Sequence, residues 1–175
     1  ALQYLRIDRQ MSTEIMDKFE IGFAPATLSG LTNHLINNGY NWEMAVSASV
    51  LGYHQPKNRL YDRFRNRIMF PIKNISGNII GFGGRALVPD DKNPKYLNSS
   101  DSIIYNKSEV LYGIFESKKA IIESNKAFLS EGYTDVISWH QREMCNIVAS
   151  CGTSFTKEHA QIIKRFTKNV TVMFD

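Results

Sequence analysis

Pairs of zinc-binding side chains are missing from these 175 residues: two cysteines and four histidines leave no Cys or His pair at ligand spacing. Cys145 and Cys151 share one short apolar stretch, where alternating side chains favour reduced, buried thiols over a bridge. A cytoplasmic setting fits. No apolar run approaches the roughly 18 residues that span a bilayer, and no secretory signal opens the chain, so no membrane partner is expected. A phosphate-loop Lys-Ser/Thr motif is also missing, which speaks against ATP hydrolysis of that class. Gly81-Phe82-Gly83-Gly84 does not replace it. Those glycines sit inside a strand-like run, open no helix and are followed by no acid at dinucleotide-fold spacing. They suit a bulge or a close backbone approach. Internal repeats and low-complexity stretches are not found.

What is present is ordinary in bulk and uneven in charge. Hydrophobic residues make up 43% and charged residues 22%, enough for one good core or two small ones sharing an interface. The chain begins at Ala1 without Met and ends inside a strand-like run, so it reads as a fragment. Net charge is +4, yet Lys57 to Lys107 holds ten Lys and Arg against four Asp and Glu, a local +6 that leaves −2 elsewhere. A basic stretch beside an acid-bearing one suits a polyanion held over metal ions. A solvated basic face is the plainer alternative.

The first fifty residues read as helices. Ser12 or Thr13 caps a segment through Glu20. Thr27 to Asn38 places Leu28, Leu31, Leu35 and Ile36 on one face, with Gly39 as a stop, and Asn41 caps a third helix. At Arg67 the period changes. Residues 67–72 and 78–85 form strand-like runs joined by Asn74-Ile75-Ser76-Gly77, a hairpin signature. Val88 to Ser102 reads as a surface loop, and a helix follows from about Val110 to Glu123. From Lys126 the pattern is strand, helix, strand, helix, strand over 126–131, 133–142, 146–151, 156–167 and 169–175, with Thr156 as a cap. This alternation predicts a parallel sheet with right-handed crossovers. His34 and His54 read as structural.

Chemistry concentrates where strands end. Glu131, followed by Gly132, and Asp175 each stand just past an apolar strand, where Mg²⁺ and a phosphate can reach them. Between them Ile147 to Gly152 is a third strand with a glycine ending. Asp135, four residues beyond Glu131, lies about one helical turn further on, to support a metal ligand or contact a substrate hydroxyl or base. The competing reading makes Glu131 and Asp135 helix-terminus residues and Asp175 a plain turn residue. In an extended segment Arg63, Arg65 and Arg67 would project on one side at about 6.6 Å spacing, close to the phosphate repeat of an extended strand of nucleic acid. Pro94-Lys95-Tyr96-Leu97-Asn98-Ser99 combines a cation, an aromatic face and an amide, and Lys107 adds a further cation.

Taken together, these segments resemble bacterial DNA primases of the type with a Toprim catalytic domain. The matching blocks run in family order: Ile21–Pro25 (IGFAP), Tyr61–Ile72 (YDRFRNRIMFPI), Ile80–Arg85 (IGFGGR), Pro94–Ser99 (PKYLNS), Leu111–Gly113 (LYG), Glu131–Asp135 (EGYTD), Ala149–Ser154 (ASCGTS) and Val172–Asp175 (VMFD). The resemblance implies a mixed α/β fold. A basic N-terminal subdomain of helices and a β-hairpin would cover residues 1–120, and the first β-α-β-α-β part of a parallel Toprim sheet would cover 121–175. It implies that Glu131 binds a catalytic divalent ion, Mg²⁺ or Mn²⁺, and that Asp175 is the first acid of an Asp-x-Asp motif whose partner lies beyond this chain. Asp135 would be a further active-site acid. Arg65, Arg67, Lys95, Tyr96, Asn98 and Lys107 match positions that hold template or nucleotide phosphates. Asn106-Lys107-Ser108-Glu109 departs from a His-Lys-Gly-Arg-like family run, so Glu109 reverses a usual positive charge.

The activity implied is synthesis of short RNA primers from ribonucleoside triphosphates on single-stranded DNA, by metal-dependent nucleotidyl transfer at the replisome. Zinc and the replicative helicase would belong to N- and C-terminal domains outside these residues. Two alternatives stand beside it: a single-strand-binding module without catalysis, and another Toprim enzyme. A topoisomerase needs a nucleophilic Tyr and extra domains. A nuclease needs no nucleotides, and the Arg63–Arg67 and PKYLNS blocks speak against both.

Overall fold

Ser12 fixes where the first helix begins. The computed structural model describes residues 1–88, 94–152 and 154–174. A π-helical turn over Tyr4–Asp8 leads into α1 (Thr13–Lys18), and Ser12 Oγ accepts from Ile15 N at 3.2 Å. Then follow β1 (Gly22–Ala24), α2 (Gly30–Asn37), α3 (Trp42–Ser47), β2 (Leu51–His54) and β3 (Arg59–Asp62). Asn41 caps α3, its Oδ1 accepting from Met44 N at 3.0 Å.

α2 departs from expectation. It starts at Gly30, and its predicted apolar face is largely in water: Leu28, Leu31 and Ile36 are 40%, 40% and 48% exposed. The reason is polar. The Asp62 carboxylate, arriving from β3, accepts from Leu31 N, Thr32 N and Thr32 Oγ1 at 2.8–2.9 Å. A buried cap, rather than an apolar stripe, holds this helix to β3.

β4 (Arg67–Lys73) and β5 (Ile79–Ala86) pair antiparallel as the hairpin signature predicts. Asn74 Oδ1 accepts from Ser76 N and Asn78 N at 3.0 Å, and Gly77 takes φ +93°. The sheet order is β1-β4-β5-β6, where β6 (Tyr96–Asn98) lies in the stretch expected to be a loop. Its correction has a backbone cause. Gly83, Gly84 and Arg85 offer a free edge that Asn98, Leu97 and Tyr96 pair with in antiparallel register. β2 and β3 form a separate two-stranded hairpin that the sequence pattern did not predict.

The second half follows the predicted alternation: α4 (Ile114–Ser124), β7 (Ala127–Ser130), α5 (Tyr133–His140), β8 (Ile147–Ala149), α6 (Lys157–Lys164) and β9 (Val170–Val172). The strands are parallel in order β8-β7-β9, which puts the acid-bearing β7 in the centre. Thr156 caps α6 by accepting from His159 N at 3.0 Å. Among the described residues no helix is long and apolar enough to cross a membrane.

One core runs through both sheets. Ile68, Phe70 and Ile72 of β4 pack with Tyr133, Val136, Ile137 and Ile147, and Phe70 stacks on Tyr133 at 5.0 Å between centroids. A second cluster, centred on Leu111, Ile121, Leu129, Val148 and Ile163, lies across the parallel sheet under α4 and α6. Lys73 crosses the seam, buried between Glu20 at 2.7 Å and Glu116 at 3.2 Å. Burial works against its charge; the two carboxylates outweigh that and raise its pKa.

Candidate active site

Glu131 leaves the central strand β7, and its carbonyl accepts from Cys151 N at 3.0 Å, tying the exits of β7 and β8 together. Gly132 then opens α5. Asp135 Oδ2 accepts from Gly132 N at 2.9 Å, so the N3 carboxylate satisfies the N-cap amide of a helix whose glycine has no side chain to cap with. A Cβ on residue 132 would lie 3.2 Å from that same carboxylate oxygen, so glycine keeps the turn open. Asp135 therefore takes the helix-terminus role of the competing reading while remaining exposed, as Glu131 does.

Beneath the turn, Tyr133 is buried and donates its hydroxyl to Asn98 Oδ1 at 2.8 Å; Asn98 Nδ2 donates to Cys151 O at 2.8 Å. Gly83 makes this possible, since a Cβ there would collide with the Tyr133 ring. This is the close backbone approach expected of the IGFGGR glycines. Burial pushes the Tyr133 phenol and the Cys151 thiol well above their ordinary pKa values, so both stay protonated and Cys151 is no nucleophile.

Above the seam lies a cleft of about 700 Å³. Its lining includes Lys95, just before β6, and Tyr96 and Asn98 of β6, together with Glu131 and Ser150 at the exits of β7 and β8 and Asp135 in the first turn of α5. Residues far apart in sequence thus share one concave site of small-molecule size. Asp175 lies outside the described residues. Lys107 is placed elsewhere: it lies in a 3₁₀ turn, with its carbonyl 3.1 Å from His159 Nε2 and its N–H donating to Asp101 Oδ1 at 3.0 Å.

The arginine row requires correction. Arg63, Arg65 and Arg67 do not share one extended face, because the chain bends after β3 and Asn66 takes φ +52° before β4. Arg63 donates to Asn98 O at 3.3 Å and Ser100 Oγ at 2.9 Å. Arg67 is 4% exposed and donates to Gly84 O at 3.1 Å and Pro94 O at 2.9 Å. Burial, then the charge of Arg65, lowers its pKa. Arg65 alone is exposed, its guanidinium 5.9 Å from the Tyr61 ring centroid beside a second groove of about 430 Å³.

Sequence reasoning missed Arg9, which lines the cleft beside Asp135 and donates to the Tyr4 hydroxyl. That hydrogen bond is the main cause of its raised pKa. Phe155 and Phe174 add apolar wall. No local pattern marks Arg9, because a π-helical turn brings it here.

The donors suit a hard divalent cation. Glu131 and Asp135 offer carboxylate oxygens to the cleft, and neither is ion-paired among the described residues. Among those residues no group of three or more His, Cys, Asp or Glu gathers, so a metal held here would need Asp175 or groups outside them.

Comparison with known proteins places the whole chain in one family. Residues 1–118 match the family model described as the DNA primase catalytic core, N-terminal domain, and 128–175 match one described as Toprim-like. The DNA primase of Listeria monocytogenes is 43% identical over 100% of this chain, and that of Deinococcus radiodurans 40% identical over 100%. The chain spans only 28% and 30% of those relatives' lengths. Among solved structures, the RNA polymerase domain of Mycobacterium tuberculosis primase DnaG matches with TM-score 0.91 and 35% identity, covering 99% of this chain and 58% of that one. A DnaG primase catalytic domain bound to ssDNA matches with TM-score 0.88 and 40% identity, covering 98% and 52%.

Proposed function

The chain belongs to the bacterial DNA primase family, and from that premise we propose that its cleft is part of the site where ribonucleotides are joined into short RNA primers on single-stranded DNA. One observation carries the reading: exposed Glu131 and Asp135 share a single cleft with Lys95, Tyr96 and Asn98. Residues 1–120 form the basic subdomain in this reading, and 121–175 the acid-bearing one.

Glu131, with Asp175, holds a divalent cation, Mg²⁺ or Mn²⁺. When bound, such an ion activates the primer 3′ hydroxyl and neutralises triphosphate charge. The chain's own residues do the rest. Lys95 and Arg9, which both line the cleft, meet phosphate oxygens. Tyr96 offers a ring face to a base. Asn98 spends one amide N–H and one oxygen lone pair on the seam, and among the described residues one of each is left to meet a ligand. Asp135 fixes the Gly132 turn and so aims Glu131. Arg65 tracks template phosphate from the neighbouring groove, while Arg63 holds β6 and Arg67 holds Pro94 in place. Lys107, outside the cleft, contacts nucleic acid only as it leaves the site.

The test is Glu131→Gln in the full-length protein, assayed for labelled ribonucleotide incorporation on single-stranded DNA. Loss of synthesis with DNA affinity within about twofold supports the assignment. Synthesis at the unsubstituted rate overturns it. Wild-type protein that binds DNA with steep salt dependence but makes no product would favour a binding module instead.

A further inference from the structure

The described residues hold their cations in an unusual way. Ion pairs engage only Lys73 and Lys119, and neither lines the cleft. Arg9, which lines the cleft, and Arg85, beside the cleft-lining Tyr96, rest on aromatic rings. Arg9 donates Nε to the Tyr4 hydroxyl and lies 5.4 Å from that ring's centroid. Arg85 lies 4.2 Å over the same ring, and 6.0 Å from Tyr96, which lines the cleft. The Arg85 Nε is buried without a hydrogen-bond partner among the described residues, and its guanidinium stacks on the Tyr4 ring.

Backbone geometry makes this arrangement. Tyr4–Asp8 is a π-helical turn, closed by Arg9 N donating to Tyr4 O at 3.0 Å. A bond between residues five apart brings their side chains onto one face; an α-turn would offset them. The segment is then pinned just past Arg9. Gln141, at the end of α5, donates to Gln10 O at 2.7 Å and accepts from Ser12 N at 2.8 Å.

We propose that Tyr4 is a positioning residue that holds Arg9 in the cleft through its oxygen, and Arg85 behind Tyr96 through its ring, without neutralising either. A carboxylate would hold them as firmly but cancel the charge that a triphosphate or template phosphate needs; a phenol keeps the charge available. The inference rests on the cleft being the polymerising site and adds a residue to it that does not touch the reacting atoms.

The experiment compares wild type, Tyr4→Phe, Arg9→Ala and the double variant in the full-length protein, reading ribonucleotide KM, kcat and thermal midpoint. Tyr4→Phe keeps the ring over Arg85 and removes the acceptor for Arg9. KM should rise about tenfold, the lower end of the worth of one charge-assisted hydrogen bond, with kcat within about twofold and the midpoint within about 2 °C. In the Arg9→Ala background the same change should add nothing. Tyr4→Leu, which frees Arg85 as well, should raise KM further than Tyr4→Phe. A Tyr4→Phe effect of equal size with or without Arg9, or a fall in midpoint with KM unchanged, would overturn the proposal. Arg9→Ala without effect on KM would overturn it too, while the Glu131→Gln result separately decides whether the cleft is the active site.

Discussion

Tyr133 donates its hydroxyl to Asn98 Oδ1 at 2.8 Å, and that bond joins the edge strand of the antiparallel sheet to the first turn of the helix that follows the acid-bearing strand. Asn98 passes the link on to Cys151 O at 2.8 Å. Three segments meet at one carboxamide, all beneath the cleft. Tyr133→Phe keeps the stack on Phe70 but leaves Asn98 Oδ1 short of a donor, and should cost about 1 kcal/mol. Asn98→Ala breaks both bonds and should cost roughly 2–3 kcal/mol. Urea midpoints measure both; equal costs for the two variants would mean the seam is not held as described.

Arg65 and Arg67, two residues apart, should behave oppositely. Arg65 is exposed, so Arg65→Ala should leave stability within about 0.5 kcal/mol and reduce the salt dependence of single-strand binding by about 0.7 in log–log slope. Arg67→Ala strips the Gly84 and Pro94 carbonyls of their donor and should destabilise by roughly 2–4 kcal/mol. Titration of labelled single-stranded DNA at several salt concentrations, beside urea unfolding, separates the two. A stable Arg67→Ala protein that has lost only DNA affinity would restore the arginine row.

His140 makes stability depend on pH. It is buried against Phe19, with Nε2 2.9 Å from Ser117 Oγ and Nδ1 3.1 Å from Lys18 Nζ. Ser117 Oγ donates onward to Ile147 O, so Nε2 carries the ring proton and Nδ1 accepts from the ammonium. Burial first, and the Lys18 charge second, push its pKa from 6.5 down to about 4. The unfolded chain therefore binds the proton first. Stability is fully present above about 6.5 and falls as pH drops toward about 4, by roughly 3 kcal/mol at most. His140→Gln should flatten the fall in urea midpoint between about pH 7 and 5 relative to wild type. An identical pH slope in both proteins would contradict the assignment.

Features governed by near neighbours were legible in the sequence. Ser12, Asn41 and Thr156 cap helices because a cap is a local bond. The β4–β5 hairpin and the strand–helix alternation after Lys126 follow from period and turn residues. Features set by distant partners were not. β6 needs the glycine edge of β5 to exist as a strand. The apolar positions of α2 remain exposed because Asp62, more than twenty residues later, secures that helix by its backbone. Evenly spaced arginines suggested a row, but spacing carries no information about a left-handed Asn66 or a buried Arg67. Glu131 could be placed because it follows a strand directly, and Asp135 because it lies one helical turn further on; Arg9 could not, since its position depends on a π-turn without a marker residue.

The most direct test is to replace Mg²⁺ with Fe²⁺ in the full-length protein, generate hydroxyl radicals at the bound iron with ascorbate and peroxide, and map the backbone cuts. Cuts at residues 94–98, 131–135 and 150–155, lost in Glu131→Gln, are predicted, because those segments surround the cleft. Cuts confined to other segments, or the same cuts in Glu131→Gln, would place the metal elsewhere and contradict the account.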